Sequence, residues 1–209
     1  DGNEKCAEAI KENMDFIRFC AKEKSPMLKA LFGMHALFTL SEETLNKCVE
    51  ENAGMAGYHI HVSEGMNDVY DTREKYNMRP VERLLKAGIL GEKTVLGHCI
   101  HVTPEEMDII KHTDSVVVNN PESNMGNAVG CSPVLDMYKK GILLGLGTDA
   151  YTHDMLESLK AALAIQRHNA KMPNVGWAEV TDMLFKNNAI IAKRHFGPTL
   201  GVLEEGAQA

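Results

Sequence analysis

The sequence has no apolar run near the roughly 18 residues that a bilayer-spanning helix requires. Its start, Asp1-Gly2-Asn3-Glu4, has neither the basic residues nor the apolar stretch of a signal peptide. A membrane span is not expected, and the chain reads as cytoplasmic. Positive charge is also short, with 22 Lys and Arg against 29 Asp and Glu. The net charge of −7 repels phosphate backbones and anionic headgroups, so nucleic acid and membrane surfaces are excluded as partners. No C-x-x-C occurs. The five cysteines (Cys6, Cys20, Cys48, Cys99, Cys131) are odd in number and widely spaced, which excludes a disulfide framework and a cysteine zinc site and leaves buried thiols. The glycines at 126 and 130 lack both G-x-G-x-x-G spacing and a following Lys-Ser/Thr, so they form no phosphate cradle. There is no low-complexity segment and no linker. What is present, 209 residues at 44% hydrophobic and 24% charged, describes one domain over residues 1–209 with a full core. Position 1 is not Met, and the chain reads as a piece of a longer one.

Apolar periodicity predicts a helix over 4–23, stopped at Ser25-Pro26, then a short strand over 29–35 and a helix to about 52 capped by Ser41. A second strand covers 57–62, and a long polar segment leads to a helix at 81–87. A third strand at 94–97 precedes a helix opened by Thr103-Pro104 with Glu105 and Glu106 near its positive end. Strands at 115–118 and 142–146 flank a helix from Ser132-Pro133 to Lys140, and helices at 155–169 and 177–195 finish the chain. The β-α alternation repeats five times with apolar strands, which predicts a parallel sheet covered by helices. A doubly wound sheet and a (β/α)₈ TIM barrel both fit this α/β pattern. Five βα units are too few to close a barrel, so a barrel would need strands from outside this sequence.

Parallel sheets place their chemistry at strand C-terminal ends. His59 and His61 point to one face of the second strand, and Glu64 follows at its end. His98 closes the third strand and Asp149 follows the fifth. Alone, His59-x-His61 is as well explained by packed histidines, and Asp149 by a turn or cap. Together, two imidazoles, a buried-end carboxylate and a nearby glutamate suit a divalent metal with a proton carrier. Two His plus a carboxylate favour zinc, with iron or manganese as alternatives. A zinc deaminase of the cytidine type needs H-x-E with P-C-x-x-C, and neither occurs in the required arrangement. His101, His112, His168 and His195 read as surface or packing residues, and Cys99 and most of the twelve methionines as core.

These residues also carry a resemblance. His61-Val62-Ser63-Glu64, Gly97-His98-Cys99, Asn120-Pro121-Glu122-Ser123-Asn124-Met125 and Leu146-Gly147-Thr148-Asp149 resemble the successive strand-end motifs of the amidohydrolase superfamily, in its chlorohydrolase and deaminase branch. The segment from Asn124 to Gly130 is similar to SsnA-type aminohydrolases, and the likeness runs in order from about Leu31 to Ala207. It implies a partial (β/α)₈ barrel. His61 would be a metal ligand, and Asp149 both a ligand and the base for the attacking water. Glu64 would shuttle the proton to the leaving nitrogen, and His98 would hydrogen-bond water or substrate. His35, in a segment similar to the family's H-A-P-Y-T, and His153 would contact substrate. The implied activity is hydrolysis of a non-peptide C–N bond, or a C–Cl bond, in a small heterocyclic or amidine-bearing molecule. Departures accompany the matches. No histidine precedes His35, so the family's first-strand H-x-H is missing and only two of four expected ligands are present. Ala150 stands where many relatives have Gly, and Leu200 to Ala207 resembles the point where relatives leave the barrel for a small β domain. The competing expectation is a catalytically incomplete fragment or pseudoenzyme that associates through its open edge. Its partner would be the missing N-terminal barrel segment or another chain, with a homo-oligomer also open.

Overall fold

A computed structural model of the chain describes residues 2–197 and 200–207. The ends of the expected 1–209 domain, at residues 1, 208 and 209, lie outside the described residues. Five strands form one sheet: β1 (Phe32–Ala36), β2 (Tyr58–Val62), β3 (Val95–His98), β4 (Val116–Asn119) and β5 (Leu144–Leu146). All neighbours are parallel, and their spatial order is β1-β2-β3-β4-β5. A doubly wound sheet reverses its strand order at a switch point; this one never does. The order is that of a barrel wall, the architecture the family resemblance implied, and it rules out the doubly wound alternative that periodicity alone allowed.

Ten α-helices are found among the described residues. They are α1 (Asn3–Glu23), α2 (Glu42–Asn52), α3 (Met66–Tyr76), α4 (Pro80–Lys86), α5 (Pro104–His112), α6 (Pro121–Gly126), α7 (Val134–Lys139), α8 (Met155–Ala170), α9 (Trp177–Asp182) and α10 (Asn188–Phe196). None is long and apolar enough to cross a membrane. Several starts are the expected ones: the Ser41 hydroxyl accepts from Thr44 N–H, and Thr103 and Glu106 form a reciprocal capping box. Along β2, alternation sends Tyr58, Ile60 and Val62 into a core shared with Met14 of α1, Leu84 of α4, Ile110 of α5 and Met137 of α7. His59 and His61 take the opposite face, where His59 is exposed and His61 half-buried. The helices therefore cover one side of the sheet with apolar side chains, and the histidines line the other.

The structure corrects the sequence reading at three places: α6 (Pro121–Gly126) was not expected, and two others have a clear physical reason. The polar stretch after β2 contains α3, whose buried residues are Asp68, Val69 and Thr72. One apolar side chain among three buried positions leaves no hydrophobic period to read. The expected single helix over 177–195 is α9 and α10 joined by a π-helical turn, Met183–Asn187. That turn has a physical role, because it aims two asparagines at the outer edge of β5. Asn187 Nδ2 donates to Leu144 O at 2.9 Å. Asn188 Oδ1 accepts from Leu146 N at 3.0 Å, and its Nδ2 donates to Leu146 O at 2.9 Å. The opposite edge of the sheet is treated alike: on β1, Asn13 of α1 accepts from Gly33 N at 2.8 Å and donates to Gly33 O at 3.3 Å. A primary amide offers one donor and one acceptor side by side, as a neighbouring strand would. Edge groups at Gly33 and Leu146 are thus already hydrogen-bonded within the chain.

Gly145 lets α10 come this close, since a Cβ there would lie 2.8 Å from Asn188 Oδ1 and 2.7 Å from Ile191 Cδ1. Replacing Asn188 with Ala removes both bonds to Leu146 and should lower stability by about 2 kcal/mol. Urea unfolding of the two proteins checks this, and a loss below about 0.5 kcal/mol would show that water replaces the amide without cost.

Candidate metal centre

The ends of β2, β3 and β5 turn sharply where chemistry-bearing side chains leave them. Ser63 (φ 48°), His98 (68°), Cys99 (49°), Asp149 (51°) and Ala150 (56°) all adopt the left-handed conformation that non-glycine residues rarely take. Such strain persists only where surrounding structure over-determines it, and here it falls at the sheet's C-terminal rim. At His98 its effect is direct. Register pairs His98 with Val62, on the helix-covered side, and the left-handed turn swings the ring back toward His61. Ala150 keeps the same conformation that Gly would take without strain.

The rings of His61 and His98 stack at 5.1 Å between centroids, with His61 Nδ1 2.9 Å from His98 Nε2. Glu64 Oε2 lies 3.7 Å from His61 Nδ1 and 3.6 Å from His98 Nε2, and Asp149 Oδ2 lies 3.7 Å from His98 Nε2. One donor atom from each of His61, His98 and Asp149 falls within 4.8 Å of the others. Donors that share one ion at about 2.0–2.2 Å are at most about 4.4 Å apart, so small side-chain adjustments would suffice for this donor set to hold a cation. Burial holds the His61 ring below the ordinary histidine range, and His98 beside it acts in the same direction, against Asp149 and Glu64. Neutral imidazole is the form that binds metal.

His35 joins the group at its edge, its ring 5.5 Å from that of His61 and its Nδ1 3.4 Å from Thr39 Oγ1. A cavity of about 270 Å³ opens beside the cluster, lined by His35, Phe38, His61, Glu64, Asn127 and Val129 among others. His153 is exposed and, among the described residues, has no hydrogen bond or ion pair with the cluster. Cys99 is fully buried and its thiol is pushed far up by desolvation, as a core residue's would be. Four further residues of the site escaped the sequence reading as chemistry. Asp68 accepts from Ser63 N at 2.8 Å and Phe38 N at 3.1 Å, tying the β1 and β2 ends together. Ser123, Asn124 and Asn127, in and just after α6, bond Asp149, His98 and Glu64 respectively. The only available signal was a cluster of small polar residues after an apolar strand, which also describes an ordinary loop.

A singly wound parallel sheet with two histidines and two acids converging at its strand ends defines a sector of a (β/α) barrel of metal-hydrolase type. The amidohydrolase family profile matches residues 1–209, and the chain belongs to the amidohydrolase family. It is 33% identical over 216 residues to the 5'-deoxyadenosine deaminase of Methanothermobacter thermautotrophicus, covering 99% of this chain and 49% of that protein. It is 31% identical over 208 residues to the 5-methylthioadenosine/S-adenosylhomocysteine deaminase of Carboxydothermus hydrogenoformans, covering 97% of this chain and 47% of that one. The fold is shared with a zinc-bound adenosine deaminase from Xanthomonas campestris at a TM-score of 0.78 and 24% identity, over 88% of this chain and 43% of the other. The chain spans about half the length of the relatives it matches.

The depressed His61 value carries a pH consequence. Its folded midpoint lies below the 6.5 of a free histidine, so the folded state binds fewer protons than the unfolded near that pH. Stability from this ring is complete above 6.5 and is lost as pH falls from 6.5 through the folded midpoint. In chelator-treated protein, an NMR titration of the His61 ring should give a midpoint below 6.5; a midpoint at or above 6.5 contradicts the burial argument.

Proposed function

We propose that the protein containing this chain is a metal-dependent aminohydrolase that removes an exocyclic amine from a small heterocycle of the adenosine type, and that residues 1–209 form one barrel-derived domain contributing half of its active site. The observation that carries this reading is the convergence of His61, His98 and Asp149, with Glu64 beside them, at the ends of separate strands. The relatives' names, deaminases of 5'-deoxyadenosine and of methylthioadenosine or S-adenosylhomocysteine, support the substrate class.

His61 and Asp149 would hold the cation, zinc first with iron or manganese as alternatives. The remaining donors would come from outside these 209 residues, from the rest of a longer chain or from another polypeptide. Bound there, a divalent cation would lower the pKa of water toward about 7 and so make a nucleophile available at neutral pH. The Asp149 carboxylate accepts the proton that the attacking water gives up. His98, fully buried with its Nε2 facing both acids, would hydrogen-bond that water or the substrate when the contact between its Nε2 and His61 Nδ1 opens. Glu64, whose Oε2 lies within 4 Å of both imidazoles, carries the proton to the departing nitrogen. A carbon–oxygen bond forms, the carbon–nitrogen bond breaks, and ammonia leaves. His35 and the adjoining cavity receive the heterocycle, and His153, on the exposed segment after Asp149, contacts its outer part.

Ammonia release from 5'-deoxyadenosine by the full-length protein tests the reading. Asp149→Asn should keep the fold and lower turnover by at least about 10²-fold, because the base is lost. Near-wild-type turnover in that variant overturns the assignment. His61→Gln should cost far more activity than His59→Gln, since His59 lies outside the donor cluster. Equal losses would mean that the ligand is misassigned.

A further inference from the structure

The segment after β4 contributes none of the groups given a chemical step, yet it grips three of them. Ser123 Oγ donates to Asp149 Oδ2 at 2.7 Å. Asn124 Oδ1 accepts from His98 Nδ1 at 2.7 Å. Asn127 Nδ2 donates to Glu64 Oε1 and to Ser123 Oγ, each at 3.3 Å. The gripped groups leave the sheet from β5, β3 and β2, so one short helix and the residue after it span the whole cluster. Ser123 and Asn124 are both 2% exposed, and bonds shielded this way are not exchanged for water.

The direction of these bonds has a consequence. Asn124 is oriented by its own Nδ2, which donates to Asn119 Oδ1 at 3.3 Å, so its oxygen is the atom facing the ring. A ring nitrogen against an amide oxygen must carry the hydrogen, so neutral His98 is protonated on Nδ1 and keeps its lone pair on Nε2. That lone pair faces His61 Nδ1 at 2.9 Å, which makes His61 the donor of the pair. The nitrogen of His61 left with a free lone pair is then Nε2. Asn127 meanwhile occupies Oε1 of Glu64, and the other oxygen, Oε2, is the one facing both rings.

We propose that α6 and Asn127 are the orienting element of this site: Asn124 fixes the tautomer of His98 and, through it, that of His61, while Ser123 and Asn127 fix the rotation of the Asp149 and Glu64 carboxylates. These are positioning residues, and their role rests on the reading of the cluster given above. The helix acts on the chemistry without touching the heterocycle.

The test is a long-range ¹H–¹⁵N spectrum of metal-free, full-length protein labelled in its histidines, paired with zinc titration. His98 and His61 should both appear as the Nδ1–H tautomer. Asn124→Leu should abolish both preferences, whereas Asn124→Asp, which keeps an acceptor at the same place, should restore them. Ser123→Ala should weaken zinc binding by about 10- to 100-fold with both tautomers unchanged. An Nε2–H tautomer on His98 in the parent protein, or unaltered tautomers in Asn124→Leu, overturns the relay, and unchanged zinc affinity in Ser123→Ala overturns the hold on Asp149. Should Asn124→Leu fail to fold, the tautomers of the parent protein decide the matter. Should the parent protein release no ammonia from 5'-deoxyadenosine yet show both expected tautomers, the deaminase reading fails and the orienting role stands.

Discussion

Two imidazole rings whose nitrogens sit 2.9 Å apart cannot both be cations at a half-buried site, and the rest of the cluster follows from that constraint. Burial disfavours protonation of His61, and the neighbouring His98 ring adds to the effect. The pair sits between two carboxylates, Glu64 and Asp149, each within 4 Å of His98 Nε2. A site that brings neutral nitrogens and anionic oxygens together is complementary to a divalent cation. Without one, its order depends on the hydrogen bonds that hold each side chain from behind.

Most of the architecture was legible in the sequence because the strands are apolar and the helices carry standard stop and start residues. Val116, Val117 and Val118, the helix start at Thr103-Pro104 and the Ser41 cap all appear where periodicity and cap chemistry put them. The barrel-type order was not legible from alternation, which fits two topologies, but it was expected from the family resemblance, and the order of neighbouring strands bears that out. Helix α3 was hidden because it buries an aspartate and a threonine with one valine, and α6 because it buries Ser123 and Asn124 with Pro121. In each, polar side chains that hydrogen-bond other elements, Asp68 in α3 and Ser123 and Asn124 in α6, take inward positions that an apolar period would have marked.

The site divides in the same way. His61, Glu64, His98 and Asp149 could be picked out because charge at the end of an apolar strand requires an explanation. What could not be seen was how they are aimed. His98 lies by register on the helix-covered side and reaches the cluster through its left-handed φ of 68°, a feature that no residue type announces. Ser123, Asn124 and Asn127 have common side chains with many uses, and their role depends on contacts 26 and 63 residues away in the chain. Family membership adds the kind of chemistry to consider, and the chain spans about half the length of the relatives it matches.

The central claim is that the His61, His98 and Asp149 side chains surround a cation position. Anomalous diffraction at the zinc edge, from crystals of the full-length protein grown with zinc, tests it most directly. The account predicts one strong peak within bonding distance of His61 Nε2 and an Asp149 oxygen. A map with no peak among those three side chains, or with its strongest protein-bound peak elsewhere on the molecule, would contradict it.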